Sequence, residues 1–287
     1  MSTSETIGNE PAARLSIITA PSLSAAKLVR DLAKLGQYRD LLYTLSVHRI
    51  KVRYKQSVLG GLWAFIQPVS LMLMFTFIFS YVARISSEGV PYAIFVYTAL
   101  LPWNYFSSSV ANATGSLVNH AQFVTKVYFP REILPATYVI AALFDFVVAS
   151  TILAGLMMHY QVRLTIYALY VVPIILILTC FALAMSLFLS ATQVRFRDIG
   201  VAVPLLLQLW LFATPIIYPL SSVPLRFRSI YNLNPMVAII ESFRQVVLRG
   251  AEPDYWSLTM AAIVSVVFLF LSYVYFKHLE TTMADII

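Results

Sequence analysis

Long windows without charge constrain this chain more than any other feature. Its 20 Lys and Arg and 13 Asp and Glu residues are clustered, and six windows between the clusters are nearly free of charge. A hydrocarbon core about 30 Å thick needs about 20 apolar helical residues, so each window accommodates one transmembrane helix. The sequence therefore predicts an all-α membrane protein with six spans, at about residues 62–83, 92–110, 134–158, 166–190, 201–222 and 255–276.

Composition and charge distribution support this class and orient the spans. The chain is 60% hydrophobic and 11% charged, whereas soluble domains are about 25% charged. Fourteen of the 20 Lys and Arg residues fall on the side of the two termini and six on the other. Cytoplasmic loops are enriched in Lys and Arg, so both termini are predicted to be cytoplasmic. The net charge of +7 is then a topology signal, and no nucleic-acid partner is expected.

The segment before the first span predicts a helix in the membrane interface. We divide the chain into a polar N-terminal extension (1–36), an interface helix (37–56), the six-span domain (57–280) and a cytoplasmic tail (281–287). One face of the interface helix carries Tyr38, Leu41, Leu42, Leu45 and Val52, and the rest carries Arg49, Lys51, Arg53 and Lys55. These basic residues are expected to face anionic headgroups. A helix that only anchors the first span is the alternative.

A second amphipathic helix is predicted between spans five and six, over residues 234–250. Asn234 suits the N-cap, Pro235 the first helical position and Gly250 the position after the end. Apolar residues recur with helical spacing, at Met236, Ile239, Ile240, Phe243 and Val247. The helix is too short and too charged to span, so it should lie in the outer interface or dip beside span five. A helix with no function is the alternative.

The loop at 117–135 is longer than a simple connection needs to be. It mixes Lys126, Arg131 and Glu132 with the apolar side chains of Phe123, Val127, Tyr128 and Phe129. Exposed apolar residues among basic ones are typical of a surface on which another subunit docks. An ordinary structured loop is the alternative.

Few residues offer catalytic or metal chemistry. The chain has one cysteine, Cys180, and four scattered histidines, so neither a metal site nor an enzyme active site is expected. Asp145 is the one acidic residue inside a predicted span, and it is either functional or hydrogen-bonded within the bundle. No Gly is followed by Lys, so the sequence holds no P-loop and ATP hydrolysis would belong to another polypeptide. A channel, a secondary transporter and a lipid-linked transferase are the competing classes.

Span five and its exit are rich in proline. Pro204, Pro215, Pro219 and Pro224 lie there, together with Trp210, Phe212 and Tyr218. Proline removes helical hydrogen bonds, which neighbouring helices or a water-lined cavity must replace. Span five is therefore predicted to be kinked and either packed or pore-lining.

Three groups of motifs resemble one known family. They are Arg53-Tyr54-Lys55-Gln56-Ser57-Val58-Leu59-Gly60-Gly61-Leu62-Trp63 with Gln67-Pro68, then Phe196-Arg197-Asp198-Ile199, then Asn234-Pro235-Met236 with Glu241-Ser242-Phe243-Arg244. Together they resemble the ABC-2-type permeases that export polysaccharides, over roughly Asp40 to Lys277.

The resemblance implies a non-enzymatic transporter subunit in the bacterial cytoplasmic (inner) membrane. It implies a homodimer that works with two copies of a separate P-loop ATPase, which binds ATP and Mg, while this chain holds no cofactor. The implied cargo is a glycan linked to undecaprenyl diphosphate: O-antigen, capsular polysaccharide or teichoic acid. The regular Arg-Tyr-Lys-Gln run, at Arg53 to Gln56, is more similar to O-antigen exporters than to capsule exporters.

The resemblance also implies roles for individual residues. Aromatic side chains that stack on sugar rings would line the substrate path, at Trp63, Trp210, Phe212 and Tyr218. The lipid diphosphate or the interface would be contacted by Arg49, Lys51, Arg53 and Lys55. Coupling to the ATPase would involve Phe123, Lys126, Tyr128, Arg131, Arg197 and Asp198. The outer gate would include Asn234, Pro235, Glu241, Phe243 and Arg244.

Overall fold

The computed structural model describes residues 36–55, 60–127 and 129–286, and this part of the chain is all-helical. The predicted all-α class is confirmed. Ten α-helices follow in order: α1 Arg39–Lys55, α2 Trp63–Phe75, α3 Tyr92–Thr114, α4 Ala121–Lys126, α5 Ile133–His159, α6 Val171–Arg195, α7 Ile199–Phe212, α8 Leu225–Asn232, α9 Pro235–Arg244 and α10 Tyr255–Ile286. A π-helix extends α2 over Thr76–Val82 and another extends α9 over Gln245–Arg249. Short 3-10 turns lie at Gly36–Tyr38, Gly60–Leu62, Val118–His120, Ile166–Tyr170 and Leu220–Ser222.

Four segments of the described chain are long and apolar enough to cross a membrane. They are Trp63–Val82, Ile133–His159, Ile166–Arg195 and Tyr255–Glu280. The helix at the second predicted span, α3, has 23 residues but is more polar, and the helix at the fifth, α7, has 14. The protein is thus a multi-pass membrane protein, and its helices are compatible with the six predicted spans.

The polar character of α3 follows from its position in the middle of the bundle. Most of its side chains are buried, and it packs against α2, α5, α6, α7 and α9. Its hydroxyls are bonded inside the protein: Tyr92 donates to the carbonyl of Ile217 at 2.7 Å, and Tyr97 to that of Ala149 at 2.8 Å. A helix enclosed by other helices tolerates polar groups that find partners there, so its hydropathy is lower than that of a lipid-facing span.

Span five ends earlier than its apolar window suggested. We expected a kinked helix over 201–222, but α7 ends at Phe212 and the chain turns through buried residues, including Thr214 and Pro215. Pro215 has no N–H with which to continue the helical ladder, and the residue before a proline disfavours helical backbone. The prolines therefore stop this helix, and Pro204 alone of the four lies within α7.

The helix predicted after span five has the expected ends. The side chain of Asn234 accepts a hydrogen bond from the backbone N–H of Met236 at 3.1 Å, Pro235 is the first helical residue, and Gly250 is left-handed with φ 56°. It packs against α3, α6 and α10, and most of its side chains are buried. Its apolar face is therefore covered by the bundle, and its position relative to the membrane stays a prediction.

The loops between the helices lie at two ends of the bundle, and each end holds the loops that were predicted to share one side of the membrane. At one end, a cluster of buried side chains joins α4, α5, α6 and α10 with the apolar face of α1, and includes Val124, Leu134, Val194 and Phe276. At the other end, hydrogen bonds join Ser221 to Glu88 at 2.5 Å and Tyr167 to Glu252 at 3.0 Å. All loops predicted to share a side of the membrane therefore lie at the same end.

The interface helix packs along a span. Helix α1 contacts the first half of α5, with Tyr38, Leu41, Leu42 and Leu45 partly buried as predicted. Val52 differs from the prediction, since it is 51% exposed. Two basic side chains, Arg49 and Arg53, also lie on the packed face, because α5 offers them partners.

Candidate functional site

A polar cleft of about 660 Å³ lies between α1, α2, α3, α5 and α7. Its aromatic wall includes Trp63 of α2, which is 51% exposed, and Trp103 and Tyr105 of α3. Its polar wall is made by amide and hydroxyl side chains, at Gln67, Asn104, Ser107, Ser108, Asn112 and Gln208. Aromatic side chains can stack on the face of a ring that carries hydroxyl groups. Amide and hydroxyl side chains can hydrogen-bond to the hydroxyl groups at the edge of that ring.

Helical spacing explains why α3 presents a continuous polar edge to the cleft. Asn104, Ser108 and Asn112 are four residues apart and so lie on one face of the helix. The Asn112 amide donates to the Ser108 carbonyl at 2.7 Å. The side-chain amides of Gln67, Asn104 and Gln208 make no hydrogen bond within the described residues, so they are open to whatever fills the cleft.

Two opposite charges lie at the end of the cleft nearest α1. Arg53 forms an ion pair with Asp145, and Tyr54 donates to the same carboxylate at 2.5 Å. Asp145 is 12 residues after the first residue of α5, or about 18 Å along the helix at 1.5 Å per residue. Burial, reinforced by the bond to Asp145, raises the pKa of Tyr54 to about 12, so its phenol stays protonated at neutral pH.

The pair answers the question that Asp145 raised in the sequence. The six predicted spans contain no Lys, Arg or His. The cation that pairs with Asp145 comes from the interface helix, outside these spans. A partly buried carboxylate with a guanidinium and a phenol as donors is well satisfied.

A second arginine fastens α1 to α5. Arg49 donates to the Thr137 hydroxyl at 3.1 Å, and its guanidinium carbon lies 3.2 Å from the centroid of the Tyr138 ring. Burial lowers the pKa of Arg49, with Tyr138 opposing that shift. Arg49 and Arg53 are thus bound to α5, whereas Lys51 and Lys55 are exposed and have no ion-pair partner among the described residues.

The opposite end of the bundle holds a charged network around α9. Arg244 is 1% exposed and pairs with Glu241 at 2.9 Å, and its Nη2 donates to the carbonyls of Pro215 and Ile216 at 3.1 and 3.3 Å. Its guanidinium also covers the ring of Phe95 at 3.9 Å. Because α7 ends at Phe212, these two carbonyls lie beyond the helix and accept no helical hydrogen bond. Arg244 provides the donors that they would otherwise lack.

The end of the bundle that includes α1 and α4 combines exposed apolar groups with a buried ion pair. Phe123, Val127 and Phe196 are 52%, 52% and 54% exposed. Lys277 of α10 pairs with the buried Glu132 at 2.8 Å and with Glu280. Burial raises the pKa of Glu132, and Lys277 opposes this. The loop at 117–135 is thereby held to the last helix.

The amino-acid sequence matches one protein family. Residues 40–248 match the ABC-2 type transporter family. The chain belongs to that family. The matched region begins in α1 and ends in the π-helical extension of α9, so it includes the whole polar cleft.

Individual members of the family are similar over most of their length. The O-antigen export system permease protein RfbA of Myxococcus xanthus is 35% identical over 84% of this chain and 93% of the relative. RfbA of Klebsiella pneumoniae is 30% identical over 88% and 97%. The polysialic acid transport protein KpsM of Escherichia coli is 24% identical over 83% and 93%. The resemblance read from the motifs is therefore confirmed.

One of the four aromatic residues predicted for the substrate path lines the cleft of this ABC-2 transporter. That residue is Trp63. Trp210 packs edge-on against Trp103 and Phe106 beneath the wall, at centroid distances of 6.2 and 5.3 Å. Phe212 is exposed at the end of α7, and Tyr218 is hydrogen-bonded to Tyr231 at 2.8 Å.

The other predicted residues lie at the two ends of the bundle. Lys126, Arg197 and Asp198 are exposed with Phe123 at the end that carries α4. Arg131 instead donates to the Glu280 carbonyl at 2.5 Å. Tyr128 lies outside the described residues. At the opposite end Phe243 is buried beside Arg244, and Asn234 and Pro235 form the start of α9.

Sequence reasoning missed the amide residues of the cleft. Asn104, Ser107, Ser108 and Asn112 are not among the site residues that the sequence predicts. The signal was their spacing of three and four residues, which marks one helical face. Gln67 and Gln208 are single polar residues in apolar windows, and only the packing of α2 and α7 shows where they lie.

Proposed function

We propose that this chain is the permease subunit of an ATP-driven exporter that moves a lipid-linked polysaccharide outward across the bacterial cytoplasmic membrane. The observation that carries the proposal is the polar cleft, where an exposed tryptophan and open amides line a path between spans. Hydrocarbon cannot satisfy such groups, whereas sugar rings and hydroxyls can. The two RfbA relatives favour an O-antigen-like glycan, and KpsM makes a capsular polysaccharide the second candidate.

We assign the rest of the transporter by membership of the family. The permease acts as a homodimer with two copies of a P-loop ATPase, which binds ATP and Mg. The exposed patch of Phe123, Lys126, Val127 and Phe196 is suited to that subunit, because its apolar side chains are accessible beside basic charge. Undecaprenyl diphosphate is the proposed carrier, with both termini and the ATPase on the cytoplasmic side.

Within α1 we assign the diphosphate to the two lysines. Lys51 and Lys55 are exposed and have no ion-pair partner in the described part of the chain, whereas Arg49 and Arg53 are bound to α5. An anion gains most from cations whose charge is not already neutralised. The sequence grouped these four residues together, and the structure separates them into two pairs.

Export is tested in the source bacterium by deleting the gene and measuring surface glycan on immunoblots. Deletion should remove surface glycan while lipid-linked glycan accumulates inside the cell, and the wild-type gene should restore it. The purified complex should contain a P-loop ATPase. Lys55→Gln should reduce export, whereas Arg39→Gln, an equal charge change at the exposed start of the same helix, should not. Unchanged surface glycan after deletion would disprove the function.

A further inference from the structure

The polar cleft has no net charge. Among the described residues that line it, Arg53 and Asp145 are the charged ones, and they neutralise each other. Their side chains are 38% and 24% exposed, so the pair is at the cleft surface, where a bound molecule would encounter both charges. An acidic group in the cleft would be attracted by Arg53 and repelled about equally by Asp145. The two electrostatic energies would nearly cancel.

The remaining polar groups are uncharged. We call Asn104, Ser108 and Asn112 on α3, with Gln67 on α2 and Gln208 on α7, the amide stripe. Each amide offers both donors and acceptors, and three of them make no side-chain hydrogen bond within the described chain. A sugar hydroxyl is likewise both donor and acceptor. A carboxylate or phosphate accepts only, and needs cations or convergent N–H groups.

We infer that the cleft selects uncharged sugar units, with the amide stripe contacting their hydroxyls and Asp145 acting as a specificity residue that cancels Arg53. The inference rests on the proposed function and deepens it by naming the substrate class. Acidic sugars are disfavoured because a carboxylate loses hydration in the cleft and, with Arg53 cancelled by Asp145, gains no net attraction there. The phosphate-bearing end of the cargo would instead contact the exposed lysines of α1. Asp145 thus has a role beyond holding α1 in place.

Binding to the purified full-length chain in nanodiscs tests the charge. The probes are maltohexaose, which is uncharged, and a hexamer of galacturonic acid, which carries a carboxylate on every unit. Tryptophan fluorescence reports occupancy, since Trp63 and Trp103 line the cleft. Wild type should prefer the uncharged probe by at least about tenfold, because each carboxylate would lose hydration in the cleft without a compensating net charge.

Three variants separate charge from folding. Asp145→Asn should strengthen binding of the acidic probe about tenfold and leave the uncharged probe nearly unchanged. Arg53→Gln with Asp145→Asn should restore the wild-type preference without the pair. Asp40→Asn is the control, because it makes the same change in net charge as Asp145→Asn at a side chain that lies outside the cleft and is 94% exposed. It should alter the affinity for neither probe. Equal affinities in wild type, no binding of the uncharged probe, or an unchanged ratio in Asp145→Asn would overturn the inference.

Substitutions in the stripe test its contacts. Asn104→Leu with Gln208→Leu should weaken binding of the uncharged probe about tenfold, the value of one or two hydrogen bonds, while Gln122→Leu on exposed α4 should not. A stripe that instead joins two copies of the chain would show as loss of the dimer on size-exclusion chromatography with binding intact, and that result would also overturn the inference. Failure here leaves the deletion phenotype unaffected, so it is distinguishable from failure of the proposed function.

Discussion

At the scale of single residues, two arginines, one buried and one half-buried, donate to oxygen atoms of neighbouring segments. Arg244 replaces helical donors for two carbonyls after α7, and Arg49 bonds a hydroxyl and an aromatic ring of α5. Arginine suits both places because its planar guanidinium presents several donors at once and remains charged.

Arg244→Met should therefore be strongly destabilising. The change leaves the carbonyls of Pro215 and Ile216 without these donors and removes one cation from Glu241, so we expect a loss of about 3–5 kcal/mol, as for breaking a buried ion pair. Arg226→Met, at an exposed arginine of the same end, should change stability by no more than about 0.5 kcal/mol. Thermal unfolding in detergent compares the two. Equal midpoints would show that the buried contacts contribute little.

At the scale of elements, the ends of helices are set by single residues. Gly250 ends the helical segment of α9 in left-handed backbone, and a Cβ there would lie 2.7 Å from Cγ2 of Thr165. Residues with a side chain rarely adopt this conformation, and the loop after α5 leaves no room for one. The start of α9 depends in the same way on the Asn234 cap and on Pro235.

Gly250→Ala should destabilise the protein by about 1–2 kcal/mol, because it combines left-handed strain with a close contact to Thr165. Gly155→Ala is the matched control, since Gly155 lies inside α5 with open space around the position of a Cβ. Alanine is the better helix former, so that change should be neutral or stabilising by up to about 1 kcal/mol. Unfolding midpoints that move in the same direction for both variants would contradict this account.

At the scale of the whole molecule, the two ends of the bundle differ in charge and in contacts. The end with α1 and α4 carries the exposed apolar and basic patch, whereas the other carries the network of Glu88, Glu241, Arg244 and Arg249. The polar cleft lies between them. In the proposed exporter, the ATPase would bind at the end with α4.

Cysteine labelling in intact cells should establish which end faces outward. In a Cys180→Ser background, Ser86→Cys places a thiol on the exposed loop after α2 and Gln122→Cys places one on exposed α4. A membrane-impermeant maleimide should label position 86 in intact cells and position 122 only after permeabilisation, since Lys and Arg are concentrated at the end with α4. The opposite pattern would reverse the predicted orientation.

Prediction from the sequence worked where the physics is local. Hydropathy over about 20 residues located the four helical segments that are long and apolar enough to cross a membrane. Cap residues located both ends of the helical segment that contains α9. The prediction was wrong about where the helix of span five ends. The apolar run continues past Phe212, but Pro215 and the donors of Arg244 stabilise a turn there. The basic residues of α1 were expected to face headgroups. Lys51 and Lys55 are exposed, whereas Arg49 and Arg53 contact α5, because partners on a distant helix determine where they point.

The sequence by itself determined an all-helical membrane protein, its apolar windows, the caps of α9 and its family, because these follow from residues close together in the chain. Only the tertiary structure decided that Arg53 pairs with Asp145, 92 residues away, and that amides from three helices share one cleft. The reason is physical. A charge or an amide in a span has a high cost until it finds a partner, and which partner it finds depends on the faces that distant helices bring together.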